Sequence, residues 1–313
     1  MFSPLIDKYN GKRISCAHVR PASLYPWFCF HFGAVRHINI HPTSGDSCMN
    51  DIPSHSFAIM AYKGAPFLEE TVQSVLKQNV KSRVYISTST PNDRIRKIAE
   101  DNHLPLFVNT GKAGITGDWE FALSSASTPY VTLVDQDDIY LENYAETVVN
   151  FFRKYPDTLI VFADYREIDH TGTVRKLNKT MRIKHLLLWP FVFRKSLKGR
   201  GAKRSVLRIG NPVCSPSVTY NIPALGGPHL FDPEYTMALD WDAWIRMADM
   251  KGRFCYSRKP LLYHRLHEAT QTSGGISGGR RYEEDLRIYR RLWPERIAKA
   301  LADFYAESYK TNL

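Results

Sequence analysis

The chain has no run of eighteen apolar residues, so no segment is long enough to cross a bilayer as a helix. It has no CxxC pair. Its five cysteines, Cys16, Cys29, Cys48, Cys214 and Cys255, are odd in number and widely scattered. That argues against a zinc ribbon and a disulfide framework, and it points to a reducing, cytoplasmic setting. The first residues lack an orderly charged region, apolar core and small-residue cleavage site, so no signal peptide is expected. Internal repeats and low-complexity tracts are also missing. No helix-turn-helix, RRM or zinc-finger pattern occurs, so no nucleic acid partner is expected despite a net charge of +11.

What is present is an ordinary globular composition, 43% hydrophobic and 23% charged over 313 residues. That length suits one large or two smaller domains with a sizeable core. The positive excess is partly local, because residues 182–208 hold nine Lys or Arg and no acid. These flank Leu186-Leu187-Leu188-Trp189-Pro190-Phe191-Val192-Phe193. A basic segment beside a lipophilic one suits peripheral contact with an anionic membrane, or a lipid-linked, phosphate-bearing acceptor. Lys198, Arg200, Lys203 and Arg204 are the candidate contacts. Residues 1–54 differ from the rest, with three of the cysteines, four of the eleven histidines and no clear period. The aromatic run 24–35 reads as a core strand or a membrane-surface patch. Met49 precedes the first regular strand, and residues 1–48 read as a poorly ordered extension.

From Phe57 the pattern becomes regular. Residues 57–62, 83–88, 104–108, 130–134 and 159–163 read as short buried strands. Helical spacing lies between them. Leu68, Val72, Val75 and Leu76 share one face, Thr90 caps a helix carrying Ile95, Ile98 and Ala99, and further helices span 118–126 and about 141–155. Strands alternating with helices at these intervals predict an α/β fold with a mostly parallel central sheet flanked by helices. Beyond residue 170 the pattern loosens. Gly226-Gly227-Pro228 marks a turn, and a helix from Asp240 places Trp241, Trp244, Ile245 and Ala248 inward. A strand precedes Tyr263-His264-Arg265, a flexible glycine-rich stretch starts at Ser273, and residues 280–313 are mainly helical with a turn at Pro294.

The most informative stretch is Tyr130-Val131-Thr132-Leu133-Val134-Asp135-Gln136-Asp137-Asp138. An apolar run ends in three acids within four positions, just beyond the carboxyl end of a strand, where open α/β sheets bind ligands. Clustered carboxylates repel unless they share a cation, and hard oxygen ligands suit Mg2+ or Mn2+ together with substrate phosphates. The alternative is a solvated acidic turn in which Asp138 helps start the next helix.

Several stretches together resemble family 2 glycosyltransferases of the GT-A fold, over roughly residues 55–270. Phe57-Ala58-Ile59-Met60-Ala61-Tyr62-Lys63-Gly64 and the following Phe67–Gln78 resemble the family's opening strand and helix. Asp135-Gln136-Asp137-Asp138 resembles its DxD element. Gly226-Gly227 through Phe231-Asp232 is similar to the glycine-rich loop before the acceptor site. Asp240-Trp241-Asp242-Ala243-Trp244 and Arg265-Leu266-His267 are similar to its general-base segment and carboxyl-terminal histidine.

The resemblance implies a nucleotide-sugar half over 55–170 and an acceptor half over 171–270, followed by a link and helices over 271–313. It implies metal-dependent, inverting transfer of a sugar from a UDP- or dTDP-linked donor to a glycan or lipid-linked acceptor of surface polysaccharide. Ala61, Tyr62, Lys63, Asp135, Asp137 and Asp138 would bind the donor, with Asp137, Asp135 and His267 at the metal. Gly226 and Gly227 would shape the acceptor loop, and Asp240 or Asp242 would act as base. Matching favours Asp240, leaving Asp242 to cap the helix or face solvent. The chain departs from the family at three places. Ser87–Asp93 replaces an Asp-rich segment that helps hold uracil, Leu239 replaces the Glu before the base, and Glu120 stands where relatives often carry Asn. A catalytically inert carbohydrate- or nucleotide-binding protein is the competing reading. A sugar nucleotidyltransferase fits less well, since no glycine-rich loop bearing Arg and Lys follows the first strand.

Overall fold

The computed structural model of the protein describes residues 54–64, 66–111, 114–266 and 279–310, with side chains to 307. All belong to one compact unit, residues 47–313. The reading of 1–48 as an extension, the run 24–35, His267 and the glycine-rich stretch 273–278 lie outside the described residues.

The first half alternates as the periodicity predicts. It comprises β1 (His55–Met60), α1 (Leu68–Leu76), β2 (Arg83–Thr88), α2 (Asp93–Asp101), β3 (Leu106–Val108), α3 (Ile115–Ser124) and β4 (Tyr130–Asp135). β1 pairs in parallel with β2 on one side and β4 on the other, and β2 pairs in parallel with β3. Its register sets Met60 opposite both Ser87 and Asp135, so these strands end together at one edge. Successive β1 side chains alternate between layers, as the period of two requires. Phe57 and Ile59 pack with Leu68, Val72, Ile95, Tyr144 and Val148, whereas Ala58 joins Leu123, Trp241 and Trp244.

Two local expectations need correcting. The α2 cap is Asn92, whose Oδ1 accepts the Ile95 amide at 3.0 Å, while the Thr90 hydroxyl accepts the Lys63 amide at 2.7 Å. Asn92 is extended and next to the helix, the backbone state a cap requires. The acidic turn does not lead straight into a helix. It opens β5 (Ile139–Tyr140), and α4 (Tyr144–Lys154) starts only after that strand.

The second half contains β6 (Thr158–Ile168), α5 (Lys179–Leu187), a 3-10 turn (Trp189–Phe191), β7 (Ser196–Leu197) and α6 (Arg200–Ser205). It continues through β8 (Val218–Asn221), α7 (Ile222–Leu225), α8 (Leu239–Asp249), β9 (Arg253–Arg265), α9 (Arg280–Leu292) and α10 (Glu295–Lys310). The sheet order is β3-β2-β1-β4-β8-β6-β9-β5, with β7 on β9. The parallel block predicted over the first half holds, and β6 and β9 are also parallel. β8 is antiparallel to both neighbours, as are β5 and β7 to β9, so the sheet as a whole is mixed. α9 and α10 add Leu286, Ile288, Tyr289, Ala298 and Ala302 to the core around α8.

β9 connects two functionally different ends. Phe254 pairs with Leu197 in the basic segment, and Tyr263 pairs with Ile139 beside the acidic turn. The turn into β9 needs Gly252, with φ of 138°, where an added Cβ would lie 2.7 Å from Leu159 Cγ and 2.8 Å from Asp157 O. The buried Lys203 holds this turn, its Nζ donating to Met250 O at 2.6 Å and Gly252 O at 3.0 Å. Three of its predicted companions at a membrane are likewise paired within the fold. Arg200 and Arg204 bind Asp249, and Lys198 binds Asp157.

Candidate active site

The acidic turn projects from the edge where β1, β2 and β4 end. Asp138 is fully buried and faces the protein. Its Oδ1 accepts from His264 Nδ1 at 3.0 Å and from the Arg265 amide at 3.0 Å, and its Oδ2 lies 3.2 Å from the same imidazole nitrogen. Burial alone would lower the His264 pKa. The Asp138 carboxylate, with Asp135 and Asp137 behind it, overrides that and raises it to about 9, so the ring is charged at neutral pH. Asp138 therefore does not start a helix, and its carboxylate is engaged by His264 and the Arg265 amide. Asp135 and Asp137 are half-buried. Burial holds the Asp135 carboxyl well above the usual carboxylate range, and the charges of Asp138 and Asp137 push it the same way.

The turn's backbone is fixed by Arg265, a buried side chain with four partners. Its Nε donates to Asp137 O at 3.0 Å, Nη1 to Asp169 O at 3.2 Å and His170 O at 3.4 Å, and Nη2 to Glu70 Oε2 at 2.6 Å. Its guanidinium also stacks on Phe67, 4.2 Å from the ring centroid. A buried charge tolerates this position because its donors are satisfied and Glu70 balances it.

The loop after β1 lies against the turn. The Tyr62 amide donates to Gln136 Oε1 at 2.7 Å, and Ala61 N donates to Ser87 O at 2.8 Å. Lys63 adopts a left-handed φ of 52°, fixed by its amide bond to Thr90 and by Asn92 Nδ2 donating to its carbonyl at 2.8 Å. Where β2 lacks its expected acids, α3 supplies one. Asp118 accepts from Ser89 Oγ at 2.9 Å and Asn109 Nδ2 at 2.7 Å, joining the ends of β2 and β3. Glu120, two residues on, faces the glycine-bearing loop and accepts from the Phe231 amide at 3.3 Å, with His229 Nδ1 at 3.1 Å. Gly226 and Gly227, with φ of 83° and 131°, turn the chain from α7 into that loop. A cleft of about 270 Å³ is lined by Thr116, Glu120, His229 and Pro233.

Asp240 and Asp242 leave the first turn of α8 in different directions. Asp242 is fully buried, with Arg246 Nε donating to Oδ2 at 2.7 Å and Arg291 of α9 donating to Oδ1. It is thus neither a solvent-facing acid nor a simple cap, and both oxygens are held by guanidinium groups. Asp240 is half-buried and its partners are neutral. Oδ1 accepts the Trp241 amide at 2.7 Å and Oδ2 accepts Asn211 Nδ2 at 2.8 Å. Burial raises its pKa, while Arg281, the Trp241 amide and Asn211 oppose the rise. The charge of Asp240 pushes the Asp135 pKa further in the same upward direction.

The start of α8 is capped from outside the helix. Ala238 has no capping side chain, and the buried Glu284 of α9 accepts instead from the amides of Thr236, Met237 and Ala238 at 2.8–3.1 Å and from the Thr236 hydroxyl at 2.9 Å. Sequence reasoning missed His264, Arg265 as an anchor, Gln136, Asn211 and Glu284. Only His264 and Arg265 left a local signal, as adjacent cationic residues ending a strand.

This combination of a parallel βα half, acids at the strand ends and a helix-borne carboxylate opposite them defines a GT-A-type α/β protein. The family model for glycosyl transferase family 2 matches residues 56–217, and the chain belongs to that family. An uncharacterized glycosyltransferase of Rickettsia typhi is 22% identical over 239 residues, covering 74% of this chain and 70% of that one. Among solved structures, TarS residues 1–349 from S. aureus with UDP-GlcNAc superposes with a TM-score of 0.56 at 17% identity, over 80% of this chain and 70% of that one. The mannosyltransferase PcManGT from Pyrobaculum calidifontis, in complex with GDP-Man and Mn2+, gives a TM-score of 0.52 at 16% identity, over 80% and 73%. At these identities the structural likeness establishes the fold.

Proposed function

We propose that the protein transfers a sugar, with inversion, from a UDP- or dTDP-linked donor to a hydroxyl of a glycan or lipid-linked acceptor in surface polysaccharide assembly. The observation that carries this reading is the family 2 match over residues 56–217 together with the Asp135–Asp138 turn that follows a central parallel strand. The donor side suits a diphosphate held through a hard divalent ion. Asp135 is crowded by like charges, and oxygen donors of this kind match Mg2+ or Mn2+. That PcManGT is in complex with both GDP-Man and Mn2+ supports the same choice.

Asp137 and Asp135 would hold the ion, with His267 as a further candidate. When bound, the ion supplies Lewis-acid neutralisation of the leaving diphosphate. The remaining chemistry falls to the chain. Arg265 and the His264–Asp138 pair keep the acidic turn in place, and the Ala61–Lys63 loop flanks the donor. Asp240 takes the acceptor hydroxyl proton as that oxygen attacks the anomeric carbon. Its raised pKa makes it a stronger base than an exposed carboxylate, and its two neutral donors orient it without cancelling its charge. Gly226 and Gly227 turn the loop that borders the acceptor.

A nucleotide-sugar panel, read by thermal shift with and without Mn2+, tests the donor half. A donor at a hundred times its Kd adds about 2.7 kcal/mol of stability. The shift should require Mn2+ and vanish in Asp137→Ala together with sugar transfer. A shift of equal size without metal or in Asp137→Ala would overturn the metal assignment. Metal-dependent binding with no transfer or hydrolysis of any donor would favour the inert binding protein.

A further inference from the structure

The basic segment carries exposed apolar groups that its own core does not use. Leu186, Trp189 and Phe193 stand at the end of α5, in the 3-10 turn and just beyond it. They are 68%, 63% and 91% exposed. Leu188 and Phe191 point the other way and are buried, Phe191 packing on Phe162 and Tyr256 at 5.5 and 5.4 Å. The outward side chains are thus held on a fixed scaffold. Val192 N donates to Trp189 O, Arg258 Nη1 donates to Val192 O at 2.9 Å, and β7 is paired to β9 just beyond.

The charges of this segment divide in the same way. Arg200, Arg204, Lys198 and Lys203 are each matched within the fold. Arg182, Arg194 and Lys195 are exposed and form no ion pair among the described residues. Arg194 and Lys195 also line a cleft of about 570 Å³ with Tyr155, Phe193, Lys198 and Arg253. Its one nearby acid, Asp157, is already bound by Arg253 and Lys198.

We propose that this face, Arg182, Leu186, Trp189, Phe193, Arg194 and Lys195, docks the protein peripherally on an anionic phospholipid bilayer. Charge complementarity selects that occupant. Uncompensated cations ring protruding aromatic and aliphatic tips, so the cations meet lipid phosphates while Trp189 and Phe193 enter the headgroup boundary. No helix among the described residues is long and apolar enough to cross a membrane, which fits contact from one side. The same α5 is tied to β6 by Lys184 Nζ donating to Tyr165 Oη and by His185 Nε2 with Asp164, both within 3 Å.

Co-sedimentation of the full chain with phosphatidylcholine vesicles, with and without phosphatidylglycerol, tests docking independently of catalysis. Binding should require phosphatidylglycerol, weaken as salt rises, and fall about tenfold in Arg194→Glu/Lys195→Glu and about tenfold again in Trp189→Ser/Phe193→Ser. Neither pair should lower the melting temperature, because these side chains are exposed. No sedimentation with phosphatidylglycerol vesicles at low salt would overturn the proposal, as would binding that both double variants retain. Binding lost only on deletion of residues 1–48 would overturn it in favour of the aromatic run 24–35. Self-association abolished by Trp189→Ser/Phe193→Ser, without vesicle binding, would show that the face joins two copies instead.

Discussion

The acidic turn after β4 and the first turn of α8 both carry clustered carboxylates, and both sort them by partner. In the turn, Asp138 is buried against a charged His264 and the Arg265 amide, while Asp135 meets mainly like charges. In α8, Asp242 is buried between two guanidinium groups, while Asp240 meets an amide and an asparagine. One acid in each segment is held by cations of the fold, and its neighbour is only half-buried. The anchors come from far along the chain, β9 for the turn and α9 for the helix. Acid clusters read as sites thus contain structural members, and the partner rather than the spacing tells them apart.

Substitutions should break this division unequally. Asp242→Ala strips both guanidinium groups of their acid. Removing one member of a buried pair costs about 3–5 kcal/mol, and the lower end applies because Arg246 and Arg291 are each more than a third exposed. Urea denaturation should show a loss of about 3 kcal/mol, and a loss under 1 kcal/mol would make Asp242 dispensable to the fold. Glu284→Gln comes next. Replacing the carboxylate that caps α8 should cost about 2 kcal/mol, since hydrogen bonds to a charged group are worth about 1.5–3 kcal/mol. Displacing the Asp240 helix should also lower kcat on the order of tenfold, with metal-dependent nucleotide binding unchanged. Unchanged kcat at reduced stability would limit Glu284 to folding.

The smallest effect contrasts two buried histidines. His264 faces carboxylates and is charged. His55 hydrogen-bonds to the hydroxyls of Ser82 and Thr132, at 2.9 and 2.8 Å, and burial lowers its pKa to about 3. An unfolded histidine takes its proton near pH 6.5. Between pH 6.5 and about 3 the unfolded chain therefore binds more protons at this residue. His55 contributes its full stability above that range and loses about 1.4 kcal/mol per pH unit as pH falls through it. Denaturant midpoints at pH 7 and pH 5 should differ less in His55→Gln than in the parent chain. Equal slopes would mean that His55 titrates normally.

The parallel half was legible because its signals are local. β2 occupies Arg83–Thr88, as its apolar run predicts, and the inward face of α8 is the one its spacing gives. Asp240 and the DxD acids were legible as a class for the same reason. β8 was not, since four residues between Pro216 and Pro223 show no period and owe their strand to β4 and β6 on either side. The roles of Asp138 and Asp242 were likewise hidden. Each depends on a cation, His264 or Arg291, that folding brings from another element, and nothing within a local window records that contact.

The central claim is that Asp240 works where Asp242 supports, and Asp240→Asn tests it most directly. The amide keeps the shape and removes the ability to accept a proton. Transfer rate should fall about 10²–10⁴-fold, the usual contribution of a general base. Metal-dependent donor binding and the melting temperature should stay near those of the parent chain. Normal turnover in Asp240→Asn, with Asp242→Asn folded, donor-bound and inactive, would contradict the claim and move the base two residues along the helix.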